Sequence, residues 1–497
     1  MSDLTKILDK STYKLFLFTF LLGILTYGFT LTTYTISVDN ELPILADFGL
    51  DVGRWAQNLI LYHLFGGHLR YFSVILSLFL FSVAAVQISK LLKFNGFAAF
   101  FFCGLFINFP QLSYQIIFGM MAVIAALGVL LSFLSVKMFL KGLDEESILL
   151  KIVYFLSIAL LLMFTLAMYQ AFIFIPITLY LILFFQKTFD EAFKISLEIK
   201  KALLFAVIII ISGILYSISV KIICPLQQGG YIESFVSGGS GGGFFSNFIN
   251  ISGTNLSGNF FYGEKLYSIA SVLIIVLTVN LFLKKKHFIY RLLVLLVLII
   301  SPFTLSYFIT NGYHPPRIYV TSSLVFAFVI TFAINQLKIS SSKITLTAVT
   351  SIFILNIYFV TMLFSSNNKI YKNDRRVAEK IDNAIQTKYP SFYTTEKSIY
   401  FYGYFPYEYH QKYRLDKSEI FGGSVFNWDN GNNYRIINFF READIAEYNM
   451  IDKEKFDLVK DSIAKMPIWP DYESIKMINN SVIVKLGKDK GGLLYFE

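Results

Sequence analysis

From Ile152 to Gln186 the chain reads IVYFLSIALLLMFTLAMYQAFIFIPITLYLILFFQ, 35 residues without a charge. A helix crosses the hydrocarbon core of a bilayer in about 20 apolar residues. The stretch is therefore too long for one span and divides at Tyr169–Gln170 into two, joined by a tight hairpin on one side of a membrane. Outward from it, apolar runs recur at 15–36, 71–89, 94–109, 114–136, 202–222, 266–283, 290–310, 318–337 and 344–365. With 151–168 and 171–186 they predict a polytopic α-helical membrane protein of about eleven spans. The first run, Leu15 to Thr35, lacks a small-residue cleavage site behind it and reads as an uncleaved helix.

Charge divides the chain in two. Of 497 residues 15% are charged, against about 25% in a soluble globular chain. Residues 1–368 hold 23 Lys/Arg and 14 Asp/Glu, whereas residues 369–497 hold 20 and 19. The expected organisation is a transmembrane domain over 1–368 and a small water-soluble α/β domain over 369–497. Strands are expected at Ser398–Tyr402 and Ser481–Leu486, and helices at Asp374–Thr387 and Tyr434–Glu447. Most of the net charge of +10 lies in the membrane part, and the tail is nearly neutral, so a nucleic-acid partner is excluded. Cys103 and Cys224 form neither a disulfide framework nor a zinc pattern.

The loops carry the orientation. One alternating set holds 18 Lys/Arg, from Lys6 through Lys284–Lys286 to Lys343. The other set holds five: Arg54, Arg70, Lys221, Lys265 and Arg317. By the positive-inside rule the N-terminus is cytoplasmic, and an odd number of spans puts the C-terminal domain outside the cytoplasm. The outer side then has loop 37–70, loop 223–265, the short loop 311–317 and the tail. Loop 223–265 is rich in Gly, Ser, Asn and Phe, and its Gly238–Gly243 run reads as a flexible connector or a mobile lid. The span interiors carry no charge, which leaves a proton relay or ion path nothing to run on.

The first outer loop concentrates acid: Asp39, Glu41, Asp47 and Asp51 lie within 13 residues. Residues 52–65 can form an amphipathic helix with Val52, Trp55, Leu59 and Tyr62 on one face, lying on the membrane surface. Arg317, after Pro315-Pro316, is a fixed guanidinium at headgroup depth, suited to a phosphate, and Arg54 is the other candidate. His63, His68 and His314 are too scattered for a metal site. A carboxylate can take a proton from an attacking hydroxyl, and an arginine can neutralise a departing phosphate. Tail aromatics, among them Tyr400, Tyr402, Tyr404, Tyr407, Tyr409, Trp428 and Trp469, can either stack on sugars or form a core.

Ser37-Val38-Asp39-Asn40-Glu41-Leu42, followed by Gly53-Arg54-Trp55, resembles the S-I-D-D-E-L…G-R-W signature of the Gtr-type, GtrII-like membrane glucosyltransferases. That family includes the O-antigen-modifying enzymes of serotype-converting phages and their bacterial relatives. Met466-Pro467-Ile468-Trp469-Pro470 and Val482-Ile483-Val484-Lys485-Leu486 are similar to the family's common ending. Asn40 stands where the family often has a second Asp, which puts the weight on Asp39 and Glu41. The resemblance implies a GT-C-like enzyme of the bacterial inner membrane. Such an enzyme moves a hexose, typically glucose, from an undecaprenyl-phosphate carrier to a lipid-linked surface polysaccharide on the periplasmic side. It implies Asp39 or Glu41 as general base with inversion, and Arg54 or Arg317 on the carrier phosphate. Asp47, Asp51, Trp55 and His314 are further candidate substrate contacts. No cofactor is required by this scheme, and a divalent ion at Asp39/Glu41 stays open. A flippase or transporter of a lipid-linked sugar, or an O-antigen polymerase or ligase, shares substrates and topology and is the alternative.

Overall fold

The computed structural model describes residues 10–67, 70–224, 244–258, 260–309, 314–394, 398–405 and 412–488. The Gly238–Gly243 run, His68, Tyr407 and Tyr409 lie outside the described residues. The chain forms two compact units: Met1–Leu31 with Ile44–Thr361, and Thr32–Pro43 with Met362–Glu497. Part of loop 37–70 thus belongs to the same unit as the tail.

The first unit contains α1 (Lys10–Thr32), α2 (Arg70–Leu91), α3 (Phe97–Asn108), α4 (Ala122–Asp144), α5 (Ile148–Met168), α6 (Phe174–Lys187), α7 (Ile195–Ile223), α8 (Phe244–Leu256), α9 (Glu264–Phe282), α10 (Phe288–Ile300), α11 (Ser322–Gln336) and the first part of α12 (Lys343–Lys388). Among the described residues, ten helical stretches are long and apolar enough to cross a membrane. The expected span 318–337 is the shorter α11, of 15 residues. Helices α5 and α7 leave Leu156, Leu160, Ile210, Ile214 and Ile218 exposed, as suits faces solvated by lipid, while α3 is almost wholly buried.

The breaks between helices have local causes. Tyr169 is extended (φ −164°, ψ 123°), which ends α5 at the expected hairpin. Phe109 is also extended, as a residue before proline tends to be, and Pro110 opens a short 3-10 turn. The chain continues through a helical turn, Ser113–Ile116, to a second break at Gly119, where φ is +51°. Because of this the expected spans 94–109 and 114–136 are redrawn as Phe97–Ile116 and Gly119–Asp144.

Within the expected loop 223–265, residues Phe244–Leu256 form helix α8. Phe244, Phe248 and Ile251 recur at helical spacing, and Phe248 packs on Tyr307 with ring centroids 5.0 Å apart. Asn247 Nδ2 donates to the Ile309 carbonyl at 3.2 Å. At the foot of α10, Arg291 donates to the Thr188 carbonyl through Nε (3.1 Å) and Nη2 (2.8 Å) and lies 4.5 Å over the Phe189 ring. Two of its three guanidinium nitrogens are thereby engaged within protein, while the buried Nη1 has no hydrogen-bond acceptor.

The second unit is a four-stranded sheet with helices on its two faces. Strands β1 (Ser398–Tyr402), β2 (Asn449–Met450), β3 (Ile475–Ile478) and β4 (Ser481–Lys485) run in the order β2-β1-β4-β3. β1 is parallel to both neighbours, with Ser398 opposite Ser481, and β3 is antiparallel to β4. Alternation along β1 sends Ile399 and Phe401 to one face, against the end of α12 and α13 (Asn433–Glu442). Tyr400 goes to the other face, against Phe456 of α14 (Lys453–Ile463). Tyr400 is therefore a core residue rather than a sugar platform. Helix α13 stops at Glu442, short of the expected Glu447, and α14 was not expected at all. Lys485 Nζ, though buried, donates to the carbonyls of Ile463, Ala464 and Met466 at 3.0, 3.2 and 2.8 Å, closing the C-terminus of α14.

Candidate active site

The segment Thr32–Pro43 is built into the second unit by polar and apolar links. Ile36 joins that unit's core. Ser37 Oγ donates to Asn367 Oδ1 at 2.7 Å, and Asn368 Nδ2 donates to Thr35 Oγ1 at 2.8 Å. The turn Ser37–Asn40 is closed by Asn40 N donating to Ser37 O at 2.9 Å. It places Asp39 at φ +72°, a left-handed conformation uncommon outside glycine and frequent at functional positions.

That turn delivers both carboxylates to one guanidinium. Arg435 donates from Nη2 to Asp39 Oδ1 at 2.7 Å, from Nη1 to Glu41 Oε1 at 2.5 Å and from Nε to Asp429 Oδ2 at 2.6 Å. Asn432 caps α13 by accepting from Tyr434 N (2.9 Å) and Arg435 N (3.4 Å), which fixes the first turn that carries Arg435. Asn433 pins the same turn to β1, accepting from Phe401 N at 2.7 Å and donating to Phe401 O at 2.8 Å. Asp429, Asn430 and Gly431 all have positive φ, and this tight return directs Asp429 to Arg435.

The two signature carboxylates differ in access. Glu41 has 0% of its side chain exposed and Oε2 meets no hydrogen-bond donor, whereas Asp39 keeps 24% exposed. Burial pushes the Glu41 carboxyl up to about 7, with Arg435 pulling it down and Asp39 pushing it up. Burial opposes the Arg435 charge too, but Asp39, Glu41 and Asp429 outweigh it and hold its pKa above the ordinary value. Asp374, on α12 beyond the apolar part, is a fourth acid of this neighbourhood. It accepts from Ser424 Oγ (2.8 Å) and Val425 N (3.1 Å), and burial pushes it up to about 8, with Glu41 adding to the rise.

The remaining candidates lie in the first unit. Asp47 and Asp51 are exposed there and are not among the acids that meet Arg435. Of the helix expected over 52–65, residues Trp55 to Leu64 are helical, an α-turn running into a π-turn; Val52 lies before it and is buried, Trp55 is half-buried, and Leu59 and Tyr62 are exposed. Arg54 donates from Nε to Gln170 Oε1 at 3.3 Å, and its guanidinium carbon lies 4.7 Å over the Tyr169 ring. Gln170 in turn donates to Val52 O (2.8 Å) and the Tyr216 hydroxyl (2.9 Å), and Trp55 Nε1 donates to Ser219 Oγ at 3.0 Å. The Gly-Arg-Trp motif thus locks the first loop of this unit onto the ends of α5 and α7. Arg317 is half-buried with its guanidinium 5.7 Å from the Phe118 ring. His314 is half-buried beside Phe260, and burial lowers its pKa.

Arg435 was missed from sequence because it lies 396 positions from Asp39 in a helix of ordinary composition. The one available signal was an N-cap asparagine, Asn432, ahead of an amphipathic turn. It marks a helix and says nothing of what the helix serves.

These features define a multi-pass helical membrane protein that carries an organised carboxylate cluster outside its spans. Residues 28–334 match the model of the family described as Glucosyl transferase GtrII; the chain belongs to that family, and is thereby a glycosyltransferase. The match takes in the whole Ser37–Leu42 and Gly53–Trp55 signature and ends before Arg435. No curated protein and no solved structure matches the chain.

Proposed function

We propose that this enzyme transfers a hexose, glucose by its family, from a polyprenyl-phosphate carrier to a hydroxyl of a lipid-linked surface polysaccharide such as O-antigen, at the periplasmic face of the inner membrane. Asp39 is the general base. The observation that carries the assignment is the asymmetry of the pair: Asp39 is partly exposed and held by Arg435, while Glu41 is wholly buried against the same guanidinium. Asp39 takes the proton of the acceptor hydroxyl, whose oxygen forms the new bond at the anomeric carbon. The bond from that carbon to the carrier phosphate oxygen breaks, the phosphate leaves with the electron pair, and the centre inverts. Glu41 and Asp429 orient Arg435, and Arg435 orients Asp39. Arg54, engaged by Gln170 and Tyr169, has a structural part. Arg317 takes the carrier phosphate, since the leaving group bears a single phosphate whose charge an arginine can neutralise.

The test is transfer by purified full-length protein with a polyprenyl-phosphate glucose donor. Asp39→Asn abolishes product while the protein inserts and elutes normally. Glu41→Gln lowers turnover without abolishing it. Full activity of Asp39→Asn removes the base assignment. Movement of carrier lipid across vesicles with no glycosidic bond formed supports a flippase instead. A change in surface-polysaccharide chain length, rather than in side-branch content, points to a polymerase.

A further inference from the structure

Between α5 and α7 of the first unit runs a groove of about 670 Å³. Leu166 lines it from α5, and Ile210, Ile214 and Ile218 line it from α7, where their spacing of four puts them on one face. These isoleucines are 62%, 55% and 50% exposed. Gly213 lies among them, and a β-carbon there would meet nothing within 4 Å. The glycine thus leaves an open notch in a ridge of branched side chains. From Ile210 to Lys221 the groove follows α7 for about 16 Å, close to half of a hydrocarbon core about 30 Å thick. That is the depth of one leaflet.

The groove turns polar where the two helices end. Gln170, just past α5, lines it there with Tyr216, Ser217 and Lys221, the last of these in the final turn of α7. Gln170 donates to the Val52 carbonyl and the Tyr216 hydroxyl and accepts from Arg54, and Tyr216 donates to the Gly53 carbonyl at 3.2 Å. The Gly-Arg-Trp motif therefore backs this polar end and holds its wall rigid. Gln170 and Tyr216 are engaged with that motif, which leaves the exposed Lys221 to meet a ligand. A border lysine can simply snorkel to water. At the mouth of an apolar groove it is also a point charge placed for a phosphate. An apolar notch one leaflet deep, closed by an ammonium group, matches a lipid with one long chain and a phosphate head.

We infer that this groove seats the lipid anchor of the acceptor polysaccharide, its chain along Ile210–Ile218 over Gly213 and its phosphate on Lys221. The inference rests on the proposed transfer reaction, which brings two lipid-linked molecules to one face of the membrane and gives the donor's phosphate to Arg317. Its first test reads binding alone. Full-length protein in phosphatidylcholine nanodiscs is irradiated with farnesyl phosphate bearing a photoreactive group on its chain, and labelled peptides are mapped by mass spectrometry. Wild type is expected to label within residues 210–218. Lys221→Met is expected to weaken that labelling roughly tenfold, and Lys221→Arg to keep part of it. Gly213→Leu fills the notch without meeting protein and without removing charge; it should abolish labelling there, and it answers for Lys221→Met should that variant fail to fold. Unchanged labelling in folded Gly213→Leu would overturn the groove. Phosphatidylglycerol suppressing the label as well as unlabelled farnesyl phosphate does would make this a site for bilayer lipid and overturn the assignment. The second test is kinetic. Gly213→Leu should raise the KM for the lipid-linked acceptor severalfold and leave the KM for the donor unchanged. A rise for the donor instead would overturn the choice of acceptor. If wild type forms no glycosidic bond at all, the proposed reaction fails, while labelling lost in Gly213→Leu still establishes a prenyl-phosphate site.

Discussion

The guanidinium of Arg435 lies 2.5 Å from Glu41, a carboxyl with no exposed surface, and the two residues are 394 positions apart in the chain. Each is costly to bury alone, and each makes the other tolerable. Removing one partner leaves an uncompensated buried charge, for which about 3–5 kcal/mol is usual. Arg435→Gln is therefore expected to lower the thermal midpoint of the purified protein sharply, and Arg435→Gln with Glu41→Gln to recover part of the loss. Additive losses in the double variant would show that the pair is not coupled.

The raised carboxyls give stability a definite slope with pH. Glu41 moves from 4.5 to about 7 and Asp374 from 3.8 to about 8. Such groups hold their protons more tightly in the folded state, so their contribution is full below the ordinary value and is lost as pH rises through the raised one. The second unit should lose stability from roughly pH 4 to pH 8. Asp374→Asn keeps partners for Ser424 and Val425 and should flatten much of that slope. A thermal midpoint rising with pH over the same window would contradict it.

Asn433 is expected to matter to catalysis without touching the carboxylates. Asn433→Ala leaves the buried Phe401 N–H and carbonyl without their side-chain partner, a loss of about 1–3 kcal/mol. It also frees the first turn of α13, and with it Arg435. Turnover should drop further than the loss of folded protein accounts for, which activity per folded molecule measures.

Gly53 is held at φ +75°, and a β-carbon there would stand 2.8 Å from the Tyr216 hydroxyl. Gly53→Ala thus combines backbone strain with a clash, of order 1–3 kcal/mol for the strain alone. Adding Tyr216→Phe relieves the clash and leaves the strain. The thermal midpoint of the double variant should lie between those of Gly53→Ala and wild type.

Topology is checked by labelling. Cys103 and Cys224 are both buried, so the native protein should be silent to a membrane-impermeant maleimide. A cysteine at Lys460, in the second unit, should label on intact spheroplasts, and one at Lys187 only after lysis. The reverse pattern would invert the orientation.

Spans were legible because hydrocarbon demands long uncharged runs, and Tyr169–Gln170 could be placed because 35 uncharged residues exceed one crossing. The breaks at Phe109 and Gly119 were not, since Pro110 marks an interruption without saying whether the chain leaves the membrane. Helix α8 was hidden by composition: its Ser, Asn and Gly residues read as loop although Phe244, Phe248 and Ile251 keep helical period. Asp39 and Glu41 could be named from a local signature, but their partner could not. Nothing near Arg435 in sequence distinguishes it from any other arginine on a helix, and the pairing exists only once the sheet has set α13 in place.

The turn that carries Asp39 also has a place in time. Its anchor Asn367 follows Ser37 by 330 residues, and Arg435 follows Asp39 by 396. At roughly 5–20 residues per second, on the order of 20–80 s separate the synthesis of the acid from that of its clamp. Throughout that interval Glu41 has no arginine to enter the interior with, and the loop has no core to join. Assembly of the carboxylate cluster is thus deferred until nearly the whole polypeptide exists. A nascent or truncated enzyme reaches the membrane unarmed.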